Sequence, residues 1–115
     1  MANFNVQQKE VLDELLLKIP SVRPGKMFGY PAYYVGRKLC ICLYEEGVGI
    51  KLPEQTAGQL LKSDAHVIPF RPLGKPKMRE WVQLNLSRAE DYRQYLSVFE
   101  DSIRHVLSLQ GRAEN

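Results

Sequence analysis

The chain has 115 residues, 44% of them hydrophobic and 25% charged, and its sixteen basic and thirteen acidic side chains leave a net charge of +3. That is the length of one domain and the composition of an ordinary globular protein, able to bury roughly two thirds of its unfolded surface without disulfides. The charge is too mild to argue for nucleic acid or any acidic partner; the start MANFNVQQKE lacks the basic and apolar regions of a signal peptide, and no apolar run approaches the ~20 residues of a membrane span.

Asn5 followed by Gln8 forms a helix-capping pair, and Val11, Leu12, Leu15, Leu16 and Ile19 then recur at helical spacing until Pro20. Ser21 to Gly25 reads as a loop. From Lys26 to Leu52 the chain reads as three antiparallel strands with two tight turns, at Gly36-Arg37 and at Glu45-Glu46-Gly47, where Gly47 is expected to take the positive φ. Pro31 marks the first of these strands as an edge or a bulged strand. Leu39, Ile41 and Leu43 alternate with Cys40, Cys42 and Tyr44, and Val48, Ile50 and Leu52 with Gly49 and Lys51, so one face is aliphatic and the other mixed.

Pro53 and Glu54 open a second helix with Ala57, Leu60 and Leu61 along its apolar edge. His66 to Phe70 is a short strand, Arg71 to Lys77 a loop, and Met78 to Leu86 a further strand with Val82, Leu84 and Leu86 on one face and Trp81, Gln83 and Asn85 on the other. Ser87 with Glu90 is a capping box for a long helix whose stripe runs through Tyr92, Leu96, Phe99, Ile103, Val106 and Leu107. Residues 110–115 read as a flexible tail. The expected fold is α+β, a two-layer sandwich in the order α-β-β-β-α-β-β-α, with an antiparallel sheet and its helices on one face, forming one domain over residues 1–115.

Several short motifs occur in a telling order: Met27-Phe28-Gly29, then Tyr30-Pro31-Ala32, a Gly-containing turn, Lys51-Leu52-Pro53-Glu54, Pro69-Phe70-Arg71-Pro72 and Met78-Arg79-Glu80-Trp81. Together they resemble the N-terminal domain of the TfoX/Sxy family, closely from Met27 to Leu86 and loosely over the flanking helices. The resemblance implies a small α+β domain associated with regulation of natural competence and no known catalytic set. The competence regulators of that family carry a second, C-terminal domain, for which this chain has no room. At the level of the fold alone the arrangement is also similar to the type III secretion chaperones.

The sheet face away from the helices is expected to carry Tyr33, Cys40, Cys42, Tyr44, Lys51, Trp81 and Gln83. An aromatic-rich open face serves contact, most simply with a second copy of the chain or with another protein, unless a loop or the tail covers it or the register slips by one. Arg71, Lys75, Lys77 and Arg79, with Trp81 nearby, are candidates for phosphate or nucleic-acid contact, against the commoner solvated basic loop.

Cys40 and Cys42 would lie about 6.8 Å apart along one strand with parallel Cβ vectors, which disfavours a disulfide between them, and they lack partners at zinc-site spacing. Reduced thiols point to the cytoplasm. His66 and His105 have no triad pattern, Gly47-Val48-Gly49 is not a dinucleotide fingerprint, and Gly74-Lys75 lacks P-loop spacing. The sequence therefore reads as a non-catalytic interaction module without cofactor or metal, forming a homodimer or binding an unidentified protein partner, with a nucleic-acid-binding regulator as the alternative.

Overall fold

The computed structural model describes residues 3–72 and 78–114. Helix α1 (Val6–Leu16) leads into strands β1 (Val22–Met27), β2 (Tyr30–Val35), β3 (Lys38–Tyr44) and β4 (Gly47–Lys51). Helix α2 (Glu54–Ser63), strands β5 (Val67–Pro69) and β6 (Trp81–Leu84), a 3-10 segment (Ala89–Tyr95) and helix α3 (Leu96–Glu114) complete the chain. The fold is α+β: six strands form one sheet in the order β1-β2-β3-β4-β6-β5, every neighbouring pair is antiparallel, and the helices pack on it.

The meander has four strands, not three. The segment VRPGKM, of which Val22 to Gly25 read as a loop, pairs residue for residue with β2 from Val22↔Val35 to Met27↔Tyr30. It can do so because an edge strand forms a ladder on one side only, so Pro24 and Gly25 are tolerated there. The β1–β2 turn is Phe28-Gly29, both at positive φ (51° and 86°), as a two-residue hairpin of type I′ requires. Pro31 therefore sits in an inner strand. It lies opposite Lys26 of β1, one residue before the β2–β3 pairing begins at Ala32↔Cys42, and so removes no bond from that ladder.

Gly36 takes a positive φ of 61° in the β2–β3 turn, which falls where the sequence places it. In the β3–β4 turn Glu45 takes it instead, at 51°. Gly47 is required for space: a Cβ there would lie 1.8 Å from Asn85 Oδ1 and 2.8 Å from the Leu84 carbonyl oxygen.

The core lies between sheet and helices. Leu12 and Leu16 of α1, Ala57 of α2 and Phe99, Ile103 and Val106 of α3 meet Ile41, Leu43, Val48, Ile50, Val82 and Leu84 of the sheet. Ser102 sits inside the α3 stripe, its hydroxyl donating to the Cys40 carbonyl at 3.0 Å, while Leu107 is 44% exposed. Asn5 caps α1 as its sequence implies, accepting from the Gln8 amide at 3.0 Å. The expected capping box at Ser87 and Glu90 is replaced by the 3-10 segment, whose first residue follows Arg88 with no side-chain cap. Arg93 ties that segment to α1, donating to Glu90 and Glu14 at 2.6 Å each. Helix α3 continues to Glu114, across the residues read as a tail.

Candidate functional site

The outer sheet face begins with a correction of register. Tyr33 and Cys40 belong to the helix-side core, 1% and 0% exposed, and not to the open face. Tyr33 faces inward by the regular alternation of β2, in step with Val35; for Cys40 the cause is a β-bulge, since Tyr33 pairs with Ile41 but Tyr34 with Leu39, which leaves Cys40 as the extra residue. From the bulge on, Leu39 turns outward and Cys40 inward, its thiol donating to the Tyr33 carbonyl at 3.2 Å. Tyr33 reaches across to α1, its hydroxyl donating to Asp13 Oδ1 at 2.5 Å while Lys9 holds Oδ2 at 2.7 Å. Burial and that carboxylate raise the Tyr33 phenol.

Cys42, Tyr44, Lys51, Trp81 and Gln83 do lie on the outer side. Across its middle, strand pairing aligns Gly25, Ala32, Cys42, Gly49 and Gln83 in one transverse row. Four consecutive small residues make a trough, and the chain fills it. The Phe70 ring lies over Gly49 and Cys42, so that a Cβ on Gly49 would come within 2.9 Å of Phe70 Cζ and 3.1 Å of Cys42 Sγ. The Tyr34 ring covers Gly25 in the same way, and its hydroxyl donates to the Lys26 carbonyl at 2.8 Å. Phe70 is 1% exposed, edge-on to Tyr44 with centroids 5.5 Å apart and tilted against Trp81 at 5.4 Å. Cys42 and Tyr44 are thus buried beneath a residue from the segment after β5, a second small core on the far side of the sheet. Half-buried around it stand Met27, Tyr30, Tyr34, Leu39, Met78 and Trp81.

Tyr30, Tyr34 and Phe70 are the aromatic residues of this face that sequence reasoning missed. A signal existed for the tyrosines: Tyr30, Ala32 and Tyr34 share one parity of their strand, and Tyr33 shares the other with Val35. For Phe70 there was none, because only its tertiary contacts place it over Gly49.

One end of the sheet is basic. Arg23 opens β1, Arg37 and Lys38 form the β2–β3 turn, Lys51 closes β4, Arg79 precedes β6 and Arg71 follows β5, so antiparallel pairing brings all six together. Five of the six are exposed and Lys51 is half-buried. Arg23 donates to the Gly36 carbonyl, which anchors it beside the turn. The expected basic group is thereby divided: Arg71 and Arg79 join this end, while Lys75 and Lys77 lie outside the described residues. Glu45 and Glu46 occupy the opposite end.

The acidic counterweight at the basic end is Glu80, with Glu54 beside Arg79 at 3.6 Å. Glu80 accepts from His105 Nε2 at 2.9 Å and lies 3.5 Å from Lys51 Nζ, which itself sits 5.8 Å from the centre of the Trp81 ring. The His105 hydrogen bond and the Lys51 charge outweigh partial burial and hold the Glu80 carboxyl below its ordinary range. Asp64 is lowered by hydrogen bonds from the Tyr95 hydroxyl at 2.7 Å and the His66 amide at 2.8 Å. A depressed carboxyl stabilises the fold above its unfolded pKa and loses that contribution as pH falls through the folded value. The thermal midpoint is therefore expected to fall as pH drops below about 4.5, the unperturbed value of Glu80. Glu80→Gln should lower the midpoint at neutral pH and flatten the acid limb; an unchanged acid limb in thermal scans would refute the assignment.

Burial pushes both thiols up to about 12, which keeps Cys40 and Cys42 protonated and poorly nucleophilic. No group of three or more His, Cys, Asp or Glu side chains is placed to hold a metal ion among the described residues. A cleft of about 440 Å³ lies between α1 and the 3-10 segment, and Glu10, Glu14, Arg88 and Arg93 are among its lining residues. No helix among the described residues is long and apolar enough to cross a membrane. No family model, curated protein or solved structure matches the chain. The arrangement thus offers a surface, aromatic in the middle and cationic at one end.

Proposed function

We propose that this chain is a non-catalytic regulatory interaction module, of the kind its resemblance to the TfoX/Sxy N-terminal domain implies, working through protein–protein contacts. The observation that carries the reading is the ring of half-buried aromatic and apolar side chains on the sheet face opposite the helices: Met27, Tyr30, Tyr34, Leu39, Met78 and Trp81. Aromatic and Met side chains of this kind are enriched in contact surfaces. Both sheet edges are poor docking strands, one carrying Arg23, Pro24, Gly25 and Lys26 and the other only three residues long with Pro69. A second copy of the chain would therefore meet it face to face. Two buried free thiols fit a reducing, cytoplasmic setting.

The test is the mass in solution. Light scattering is expected to give twice the chain mass, and Trp81→Ala with Lys51→Glu should shift it toward one chain, because both side chains are half-buried on the outer face and away from the helix-side core. A wild-type mass of one chain, or a dimer indifferent to both changes, would remove self-association through this face.

A second reading has its own observation. The basic end gathers Arg23, Arg37, Lys38, Lys51, Arg71 and Arg79 beside Trp81, which favours a nucleic-acid-binding regulator over a scattered, solvated set of cations.

A further inference from the structure

Charge in this chain is sorted by layer. Among the described residues, the sheet and its connecting segments, residues 20–53, 65–72 and 78–86, hold seven basic residues and only three acidic ones. Two of those three, Glu45 and Glu46, lie at the far end of the sheet, and the third, Glu80, is held by His105 and Lys51. The remaining acidic side chains belong to the helical layer and its flanks. Such a field attracts a polyanion to one end of the sheet.

Shape narrows the class of polyanion. The six cations of the basic end come from strand ends and turns spread over the width of six strands, five gaps of about 4.8 Å or about 24 Å in all. They form a line, and no basic helix or ribbon stands out from the described surface to enter a duplex groove. On the outer face next to this line lie two aromatic side chains that are not fully buried. Trp81 is half-buried below Lys51, held at a fixed tilt by Phe70. Tyr34 is half-buried, held against Gly25 and tethered by its hydroxyl to the Lys26 carbonyl. A line of cations beside pre-positioned rings is what an unpaired strand needs: phosphates for the cations and bases to stack on the rings. Two ion pairs compete at the rim: Arg79 with Glu54 at 3.6 Å is solvent-exposed on both sides and easily displaced by an anion, and Lys51 lies 3.5 Å from Glu80, which His105 also holds.

We propose that the basic end of the sheet is a binding site for single-stranded nucleic acid, with Arg23, Arg37, Lys38, Lys51, Arg71 and Arg79 taking phosphates and Tyr34 and Trp81 stacking bases. This deepens the second reading above and rests on it.

The experiment is a titration of the full chain with a labelled oligothymidine and with a duplex of matched length, at several salt concentrations. Trp81 is the single tryptophan of the chain, so its emission reports directly on the site. Single-strand binding is expected to weaken steeply with salt, to quench Trp81 at saturation and to exceed duplex binding by about tenfold. The triple change Arg23→Glu, Arg37→Glu, Lys38→Glu, all at exposed positions, should cost about tenfold or more with an unchanged circular dichroism spectrum. Tyr34→Leu should cost roughly fivefold or more, the scale of one lost base stack, and leave the salt slope unchanged. Equal binding of single strand and duplex with Trp81 emission unmoved would overturn the single-strand site and leave the nucleic-acid reading standing. Absence of binding to either at low salt would end both.

Discussion

Phe70→Ala is expected to cost this fold about 3–5 kcal/mol, as much as emptying a main-core position, although Phe70 stands outside every strand and helix. Its ring is 1% exposed and meets Tyr44, Trp81, Gly49 and Cys42 at once. Removing it opens the trough whose floor is Cys42 and Gly49, and no side chain on the floor can fill the space. Urea unfolding measures the cost, and a red shift of Trp81 emission in the folded state should accompany it. Gly49→Val attacks the same contact from below, since its first carbon already falls 2.9 Å from Phe70 Cζ. The double variant should lose less than the two single losses combined, because the valine occupies part of the vacated volume. A loss below about 1 kcal/mol for Phe70→Ala would mean that the outer face does not depend on this ring.

Tyr92→Phe is the next largest single-atom effect. The Tyr92 hydroxyl is fully buried, donates to the Leu84 carbonyl at 3.1 Å and accepts from the Leu86 amide at 3.1 Å. It thereby secures the chain where β6 ends and turns toward the 3-10 segment. Burial raises the phenol, which stays a neutral donor at any ordinary pH. Deleting one oxygen strands a carbonyl and an amide in the core, at about 1–3 kcal/mol. Thermal unfolding gives the total, and faster hydrogen exchange at the Leu86 amide localises it. Unchanged exchange there would place the loss elsewhere.

What was legible beforehand follows physical lines. The alternation of Val48, Ile50 and Leu52 and of Val82 and Leu84 survives intact, because β4 and β6 pair without interruption and a period of two is then decisive. Phe99, Ile103 and Val106 likewise mark the buried stripe of α3. The losses come where pairing or packing overrides the local pattern. Composition hides β1 because Pro24 and Gly25 are turn residues everywhere except on an edge. The bulge at Cys40 is a property of two strands together and inverts the faces of Leu39 and Cys40. The basic end was half visible: Arg71 and Arg79 stand out as a local cluster, but Arg23, Arg37 and Lys38 join them only when the sheet is assembled.

The two sheet margins also bear on how the protein behaves in bulk. A six-stranded antiparallel sheet with an open margin is a seed for fibrous growth, since each end offers unpaired amides and carbonyls to the next molecule. Here one margin is interrupted by Pro24 and Gly25 and the other is only three residues long and ends in Pro69. Neither allows a seventh strand to run the width of the sheet. Growth by strand templating is thereby disfavoured at both ends.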